Sequence, residues 1–272
     1  MPKVINDKYY TPIDLANYIW DKTIEIIGEI NISEIIEPSC GDGAFYHHPL
    51  YIPHFGYDIV PECEFHNVIK ADFLTESITY LPGRLCIGNP PYGNSNTLAV
   101  KFYKKCCEIG DYIAFILPIS QYKNNLQMYQ FDLIYSEDIG TQFYTDRELH
   151  CCFNIYKRPN DVDLNPKPNV KLKDITIIEN RRVNGVKSKP IPIPYDYAMC
   201  NWGDGSLGKV PDYVGQYAQE VYFYCHNKKY KEQMLNLLNF DTIRAYVSSI
   251  SMKKISVARL YLYLKENIKG IE

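Results

Sequence analysis

The chain has 272 residues, 46% of them hydrophobic and 22% charged, which fits a globular protein with a sizeable core and excludes a disordered or collagen-like chain. Its longest strongly apolar stretch, 112–119, is far shorter than the roughly 20 residues that cross a bilayer, so no membrane span is expected. The net charge of −3 hides an asymmetry: residues 1–156 carry ten Lys+Arg against twenty Asp+Glu, whereas 157–272 carry nineteen against twelve. A basic second half suits contact with phosphate, or attraction to the acidic first half.

In chain order, 12–27 places Leu15, Ile19, Thr23 and Ile26 at helical spacing. Short β-like runs follow at 34–36, 55–59, 67–71, 84–88 and 112–117, with a second helix expected at 97–109. The runs 141–144 and 151–156 read as a closing antiparallel pair. Strands alternating with helical segments predict a parallel sheet covered by helices on both faces. From 158 to 173 the chain turns polar and Pro-rich, predicting a linker, and 190–194 and 201–205 read as further irregular segments. Helical periodicity returns over 241–268 in Ile243, Val247, Ile250, Ile255, Leu260 and Leu264. The expected division is 1–158 and 159–272. Nine cysteines include the neighbours Cys106-Cys107 and Cys151-Cys152 but no C-x-x-C, so buried reduced thiols are expected, and no metal site.

Two segments carry chemistry. The first is Glu37-Pro38-Ser39-Cys40-Gly41-Asp42-Gly43-Ala44-Phe45, directly after Ile35-Ile36. A strand ending in a G-x-G turn lets a ligand approach backbone without a Cβ in the way, and a following helix would present its N-terminus there. Asp58 lies 17 residues after Gly41, beside Ile59 at the end of the next strand, where a carboxylate accepts the ribose hydroxyls of an adenosine-containing cofactor. Asp72-Phe73 follows the third strand and offers an acceptor for an adenine amine beside an aromatic face.

The second segment is Gly88-Asn89-Pro90-Pro91-Tyr92-Gly93, after Leu85-Cys86-Ile87. Adenine's amino nitrogen is a poor nucleophile because its lone pair is delocalised into the ring. Two acceptors, the Asn89 side-chain oxygen and the Pro90 carbonyl, can each take one N–H and draw that lone pair out, while the prolines fix the turn. Tyr92 would supply a stacking face for a base taken out of its helix.

On these residues the sequence resembles the adenine-specific amino-methyltransferases in which the cofactor motif precedes the catalytic motif and the recognition region comes last. The resemblance covers the first 156 residues. It implies a Rossmann-like sheet that binds S-adenosylmethionine. Tyr9-Tyr10-Thr11-Pro12 resembles the family's N-terminal cofactor motif, with Thr11 at the methionine carboxylate. Glu37 to Phe45 is similar to the pattern E-P-x-x-G-x-G-x-F and implies that the Gly41 region wraps the methionine part. Asp58 and Ile59 would meet the ribose, and Asp72 with Phe73 the cofactor adenine. Asn89-Pro90-Pro91-Tyr92 corresponds to the catalytic tetrapeptide. Cys151-Cys152-Phe153 falls where the family places a second stacking aromatic, which assigns that part to Phe153.

The resemblance further implies a target-recognition region in 159–272, where Arg181-Arg182, Lys187, Lys189, Lys228-Lys229, Lys231 and Lys253-Lys254 are interleaved with Tyr195, Tyr197, Trp202, Tyr213, Tyr217, Tyr222 and Tyr230. The expected activity is methyl transfer to N6 of adenine in DNA after base flipping, as in restriction-modification. RNA adenine and a protein glutamine amide remain as alternatives, as does an idle nucleic-acid-binding scaffold. Only about 33 residues precede the first strand and a basic region follows the last, which favours nucleic acid over protein as substrate. A second protomer or a separate nuclease would complete such a system. The N-terminus has no signal-peptide pattern, so a cytoplasmic location is expected, or a host cell's nucleic-acid compartment if the chain is viral.

Overall fold

The structure, a computed structural model, describes residues 10–48, 50–144, 147–183, 186–187, 194–203, 205–249 and 254–272. The chain divides into two compact units, Met1–Lys167 and Pro168–Glu272.

Unit 1 opens with α1 (Ile13–Ile27). Pro12 precedes it, where a missing N–H costs nothing and φ −55 suits helix entry. Ala16, Ile19, Trp20, Thr23 and Ile27 form its buried stripe, and Gly28 at φ +81 ends it, donating its N–H to Ile24 O. The strands β1 (Glu34–Glu37), β2 (His54–Asp58), β3 (Val68–Lys70) and β4 (Arg84–Gly88) follow. Then come α2 (Thr97–Ile109), β5 (Tyr112–Pro118), β6 (Asp132–Tyr144) and β7 (Arg147–Lys157). They form one seven-stranded sheet in the order β3-β2-β1-β4-β5-β7-β6. Strands β1 to β5 pair in parallel, and β7 runs antiparallel to both its neighbours.

Alternation along the central strands sorts side chains between two cores. Ile35, Leu85, Ile87, Ala114, Ile116 and Phe153 join α1, while Ile36, Cys86, Ile113, Phe115, Leu117 and Cys152 join α2. Burial on both faces is why these strands read as continuous apolar runs, and α1 and α2 cover opposite faces as expected. The polar stretch after 158 is bound to unit 1 as far as Asn165. Arg158 pairs with Asp111 and Asp163, and Asn165 bonds to Gln130 O and Asp132. The division at Lys167 follows from those contacts.

Unit 2 contains β8 (Ile175–Val183), β9 (Val186–Lys187), β10 (Tyr197–Cys200) and β11 (Gln219–Cys225) in an antiparallel sheet of order β10-β11-β8-β9. The helices α3 (Lys228–Leu238), α4 (Phe240–Ser249) and α5 (Val257–Asn267) pack on it through Met234, Leu238, Ile243, Val247, Leu260 and Leu264. The periodic stretch 241–268 is thus two helices, the second capped by Ser256, whose hydroxyl accepts from Arg259 N. Ile250 lies outside the described residues. Seven of the nine cysteines are buried, and all are free thiols. Among the described residues no helix is long and apolar enough to cross a membrane.

Candidate active site at the carboxyl ends of β1 and β4

The strand order reverses between β1 and β4, and ligands of open α/β sheets bind at the carboxyl ends of strands flanking such a reversal. β1 ends in Glu37 and β4 in Gly88, with Ile36 opposite Cys86 in the ladder. The two turns that follow therefore meet. Ser39 Oγ donates to the Asn89 carbonyl at 3.5 Å. A Cβ on Gly88, at φ +149, would lie 3.5 Å from Glu37 Cγ.

The β1 turn is tied to β2. Cys40 N–H donates to Tyr57 O at 2.9 Å, and Glu62 N–H to Gly41 O at 2.8 Å. Gly41 N–H donates to Asp58 Oδ2 at 2.9 Å, and Val60 N–H to Asp58 Oδ1 at 2.8 Å. Two amides thus aim the Asp58 carboxylate across the turn. A Cβ on Gly41 would meet no atom within 4 Å, so this stretch of backbone faces open space. Gly43, at φ +82, is packed instead: a Cβ there would lie 2.6 Å from the Phe65 ring.

The segment before α1 reaches both turns. Tyr10 donates its hydroxyl to Glu62 at 2.6 Å, and Thr11, buried, accepts from Asn89 Nδ2 at 3.3 Å. At its other end the Asn89 amide oxygen accepts the Tyr92 hydroxyl at 2.8 Å. Thr11 and Tyr92 therefore hold opposite ends of one buried amide. The Tyr92 hydroxyl also lies 3.7 Å from Cys151 Sγ, and its ring is only 5% exposed.

Glu37 is 2% exposed and its Oε2 has no hydrogen-bond partner among the described residues. Burial pushes its carboxyl well above the usual glutamate range, and the charges of Asp42 and Asp58 add to the shift. Burial drives His54 the other way, down to about 3, with His48 contributing. His54 Nε2 lies 4.0 Å from Glu37 Oε2. Burial opposes charge on both groups, and 4.0 Å is too long for a hydrogen bond between them.

Other predicted residues lie elsewhere or differ from expectation. No helix follows Gly43: a single 3-10 turn at Ala44–Tyr46 does, since His47-His48-Pro49 cannot continue a helix. Phe45 is a core residue whose carbonyl accepts the Trp20 indole N–H. Phe153 is fully enclosed in the α1 core, edge-on to Tyr135, so it presents no stacking face; its place in the middle of β7 dictates that. Tyr92 likewise turns its ring inward. Phe73 is buried against Tyr57 and Phe102, while Asp72 is exposed and accepts from Leu74 N–H. Pro38 and Pro90 are buried, Pro91 is half-buried, and Pro12 and Ile59 are exposed. Tyr9 lies outside the described residues, as do Lys189, Lys253 and the side chains of Arg182 and Lys187.

In unit 2 several expected phosphate contacts are engaged locally. Arg181 and Lys254 pair with Glu179, and Lys231 pairs with Asp196. Tyr222 and Tyr230 are buried, whereas Lys228, Lys229, Trp202 and Tyr213 are exposed. Sequence reasoning missed His48, His54 and Tyr46 around Glu37, because the run 44–54 mixes histidines with aromatic and apolar residues at no spacing that marks a site.

No family model matches the sequence, and no curated protein matches it. Solved structures do. A proposed RNA methyltransferase from Pyrococcus horikoshii aligns over 58% of this chain and 90% of its own, at 14% identity and TM-score 0.45. The 23S rRNA methyltransferase ErmE aligns over 58% of this chain and 73% of its own, at 14% identity and TM-score 0.41. The M protein of the type I restriction enzyme EcoKI aligns over 58% of this chain and 45% of its own, at 11% identity and TM-score 0.41. Each of these likenesses concerns part of this chain only.

Proposed function

We propose that the protein transfers a methyl group from S-adenosylmethionine to the exocyclic N6 amine of adenine in DNA. One observation carries this reading: the Asn89 amide, in an Asn-Pro-Pro-Tyr turn at the end of β4, is fixed at both ends beside the glycine turn of β1. With Thr11 accepting from Nδ2 and Tyr92 donating to Oδ1, the amide oxygen lies on the Tyr92 side. The oxygen that must accept an amine N–H is thereby set in place before substrate arrives.

The β1 turn fits the cofactor. Glu37 is a buried carboxyl whose Oε1 lies on the Gly88 side, 4.0 Å from where a Cβ would stand there, and it suits an ammonium group. The open backbone at Gly41 accommodates a ligand chain, and Asp58, aimed by two amides, suits a ribose diol. S-adenosylmethionine, when bound, supplies an electrophilic methyl on a sulfonium. The chain's own contribution is to position: Asn89 Oδ1 and the Pro90 carbonyl accept the two amine hydrogens and localise the nitrogen lone pair. Exposed Lys228 and Lys229 in the basic second unit support a nucleic-acid substrate through phosphate contacts.

The test is transfer of tritiated methyl from S-adenosylmethionine to unmethylated genomic DNA, total RNA and a protein extract. Label recovered as N6-methyladenine in DNA is expected. Label confined to RNA adenine or to protein would overturn the substrate, and no transfer to any of the three would overturn the activity.

A further inference from the structure

Behind the glycine turn lies a chain of polar groups that the transfer chemistry does not use. Leu50 N–H donates to His48 Nδ1 at 3.1 Å. That hydrogen bond makes Nδ1 an acceptor and puts the His48 proton on Nε2, which lies 3.0 Å from His54 Nδ1. His54 Nδ1 is then an acceptor in turn, and the His54 proton sits on Nε2. This N–H has no hydrogen-bond partner among the described residues, and the group 4.0 Å from it is Glu37 Oε2, which has none either. The ring is locked sideways as well, since Tyr46 stacks on it at 3.9 Å and 11°, with Phe65 stacked on the far side of Tyr46 at 4.5 Å.

Two buried, unsatisfied groups of matching polarity are uncommon in a folded interior, because each costs the desolvation of a polar atom. They become favourable together when Glu37 ionises. A ligand carrying an ammonium group provides the reason: the Glu37 proton leaves to solvent, one side of the carboxylate pairs with the ligand, and the other takes the imidazole N–H. Around Glu37 the other titratable groups are Asp42, Asp58, Cys40, Cys63 and Tyr46. None of them is a cation that could do the same.

We propose that His54 is a positioning residue of the ligand site, its Nε2–H held toward Glu37 by His48 and closing on the carboxylate when an ammonium-bearing ligand binds. This rests on the reading of the β1 turn as an S-adenosylmethionine site, which it deepens.

Calorimetric titration at pH 6 to 8 with two probes tests it. S-adenosylhomocysteine carries the ammonium, and 5′-methylthioadenosine lacks it. His54→Phe keeps the ring stack and loses the donor. It should bind S-adenosylhomocysteine about tenfold more weakly and methylthioadenosine as the wild type does. Affinity of the wild type for S-adenosylhomocysteine should rise with pH as Glu37 ionises, and His54→Phe should move that rise to higher pH. His54→Gln, which retains an N–H donor, should recover most of the loss. His48→Ala, altering a half-buried residue, serves if His54→Phe fails to fold; it should weaken only the ammonium-bearing probe, about threefold. Equal loss of both probes would reduce His54 to a structural part and overturn the proposal, as would unchanged binding of both. A wild type that binds neither probe would overturn the cofactor reading itself, and this inference with it.

Discussion

Tyr92 donates its hydroxyl proton to the side-chain oxygen of Asn89 at 2.8 Å. That oxygen is the acceptor the proposed chemistry offers to the target amine. An amide oxygen has two acceptor positions, so holding the amide is compatible with binding a second donor. The structure thus gives Tyr92 a role that its place in the tetrapeptide alone did not suggest.

Tyr92→Phe removes the hydroxyl and keeps the ring. One neutral hydrogen bond contributes about 1 kcal/mol, so kcat should fall roughly threefold to tenfold with little change in KM for DNA. Tyr92→Ala removes the buried ring too and should lower the melting temperature as well as kcat, on duplex and on an unpaired adenine alike. A larger loss on duplex than on an unpaired adenine would contradict the inward-turned ring of Tyr92.

Asn89→Ala should lower the rate of transfer by about a hundredfold or more, the effect of deleting one preorganised polar group at a reacting centre. Cofactor affinity should stay within about twofold, since Asn89 acts on the target amine. Single-turnover rates and calorimetric binding on the same preparation separate the two. Wild-type turnover in this variant would refute the assignment of Asn89.

Glu37→Gln separates stability from binding. Burial, with Asp42 and Asp58, raises the folded-state pKa of Glu37 above its unfolded value. Below the unfolded value the carboxyl is neutral in both states; as pH rises through the folded value, the stability associated with the neutral form is lost. Glutamine stays neutral throughout. The variant should therefore melt above the wild type at pH 8, by a margin that shrinks toward pH 4, while binding S-adenosylmethionine about tenfold more weakly. A pH-independent difference in melting temperature would contradict the upward shift of the buried Glu37 carboxyl.

The two glycines of the turn should respond differently. Both have positive φ, at +51 for Gly41 and +82 for Gly43, so alanine strains either backbone by about 1 kcal/mol. At Gly43 the new methyl would also meet Phe65 at 2.6 Å, whereas at Gly41 it would point into open space. Gly43→Ala should lower the melting temperature more, and Gly41→Ala should weaken cofactor binding more. The reverse order in thermal melting and titration would place the ligand on the other side of the turn.

Much of unit 1 was legible in the sequence because its central strands are buried on both faces and end in turns with distinctive residues. β4 was expected at 84–88 and is found at Arg84–Gly88; α2 was expected at 97–109 and is found at Thr97–Ile109. β6 was expected only at 141–144 but starts at Asp132. It is an edge strand with Ser136, Glu137 and Asp138 and two register shifts, which erase the alternation that marks a strand. Strands β8 and β11 escaped notice because Glu179, Asn180 and Glu220 interrupt their apolar pattern, although Asn180 and Glu220 are buried. Glu220 accepts from the amides of Gly215 and Tyr217, a partnership that no local pattern reveals. Asn89, Glu37 and Asp58 could be singled out by spacing, whereas the burial of Phe153 and the approach of His54 to Glu37 depend on the three-dimensional sheet.

The central claim is that this turn methylates adenine in DNA, and nucleoside mass spectrometry tests it most directly. The chain and its Asn89→Ala variant would be expressed in a host lacking adenine methylation, and the genomic DNA and total RNA digested and analysed. The account predicts N6-methyladenine in DNA from cells with the wild-type chain and none above background with the variant. N6-methyladenine absent from DNA, or present equally with both chains, would contradict it.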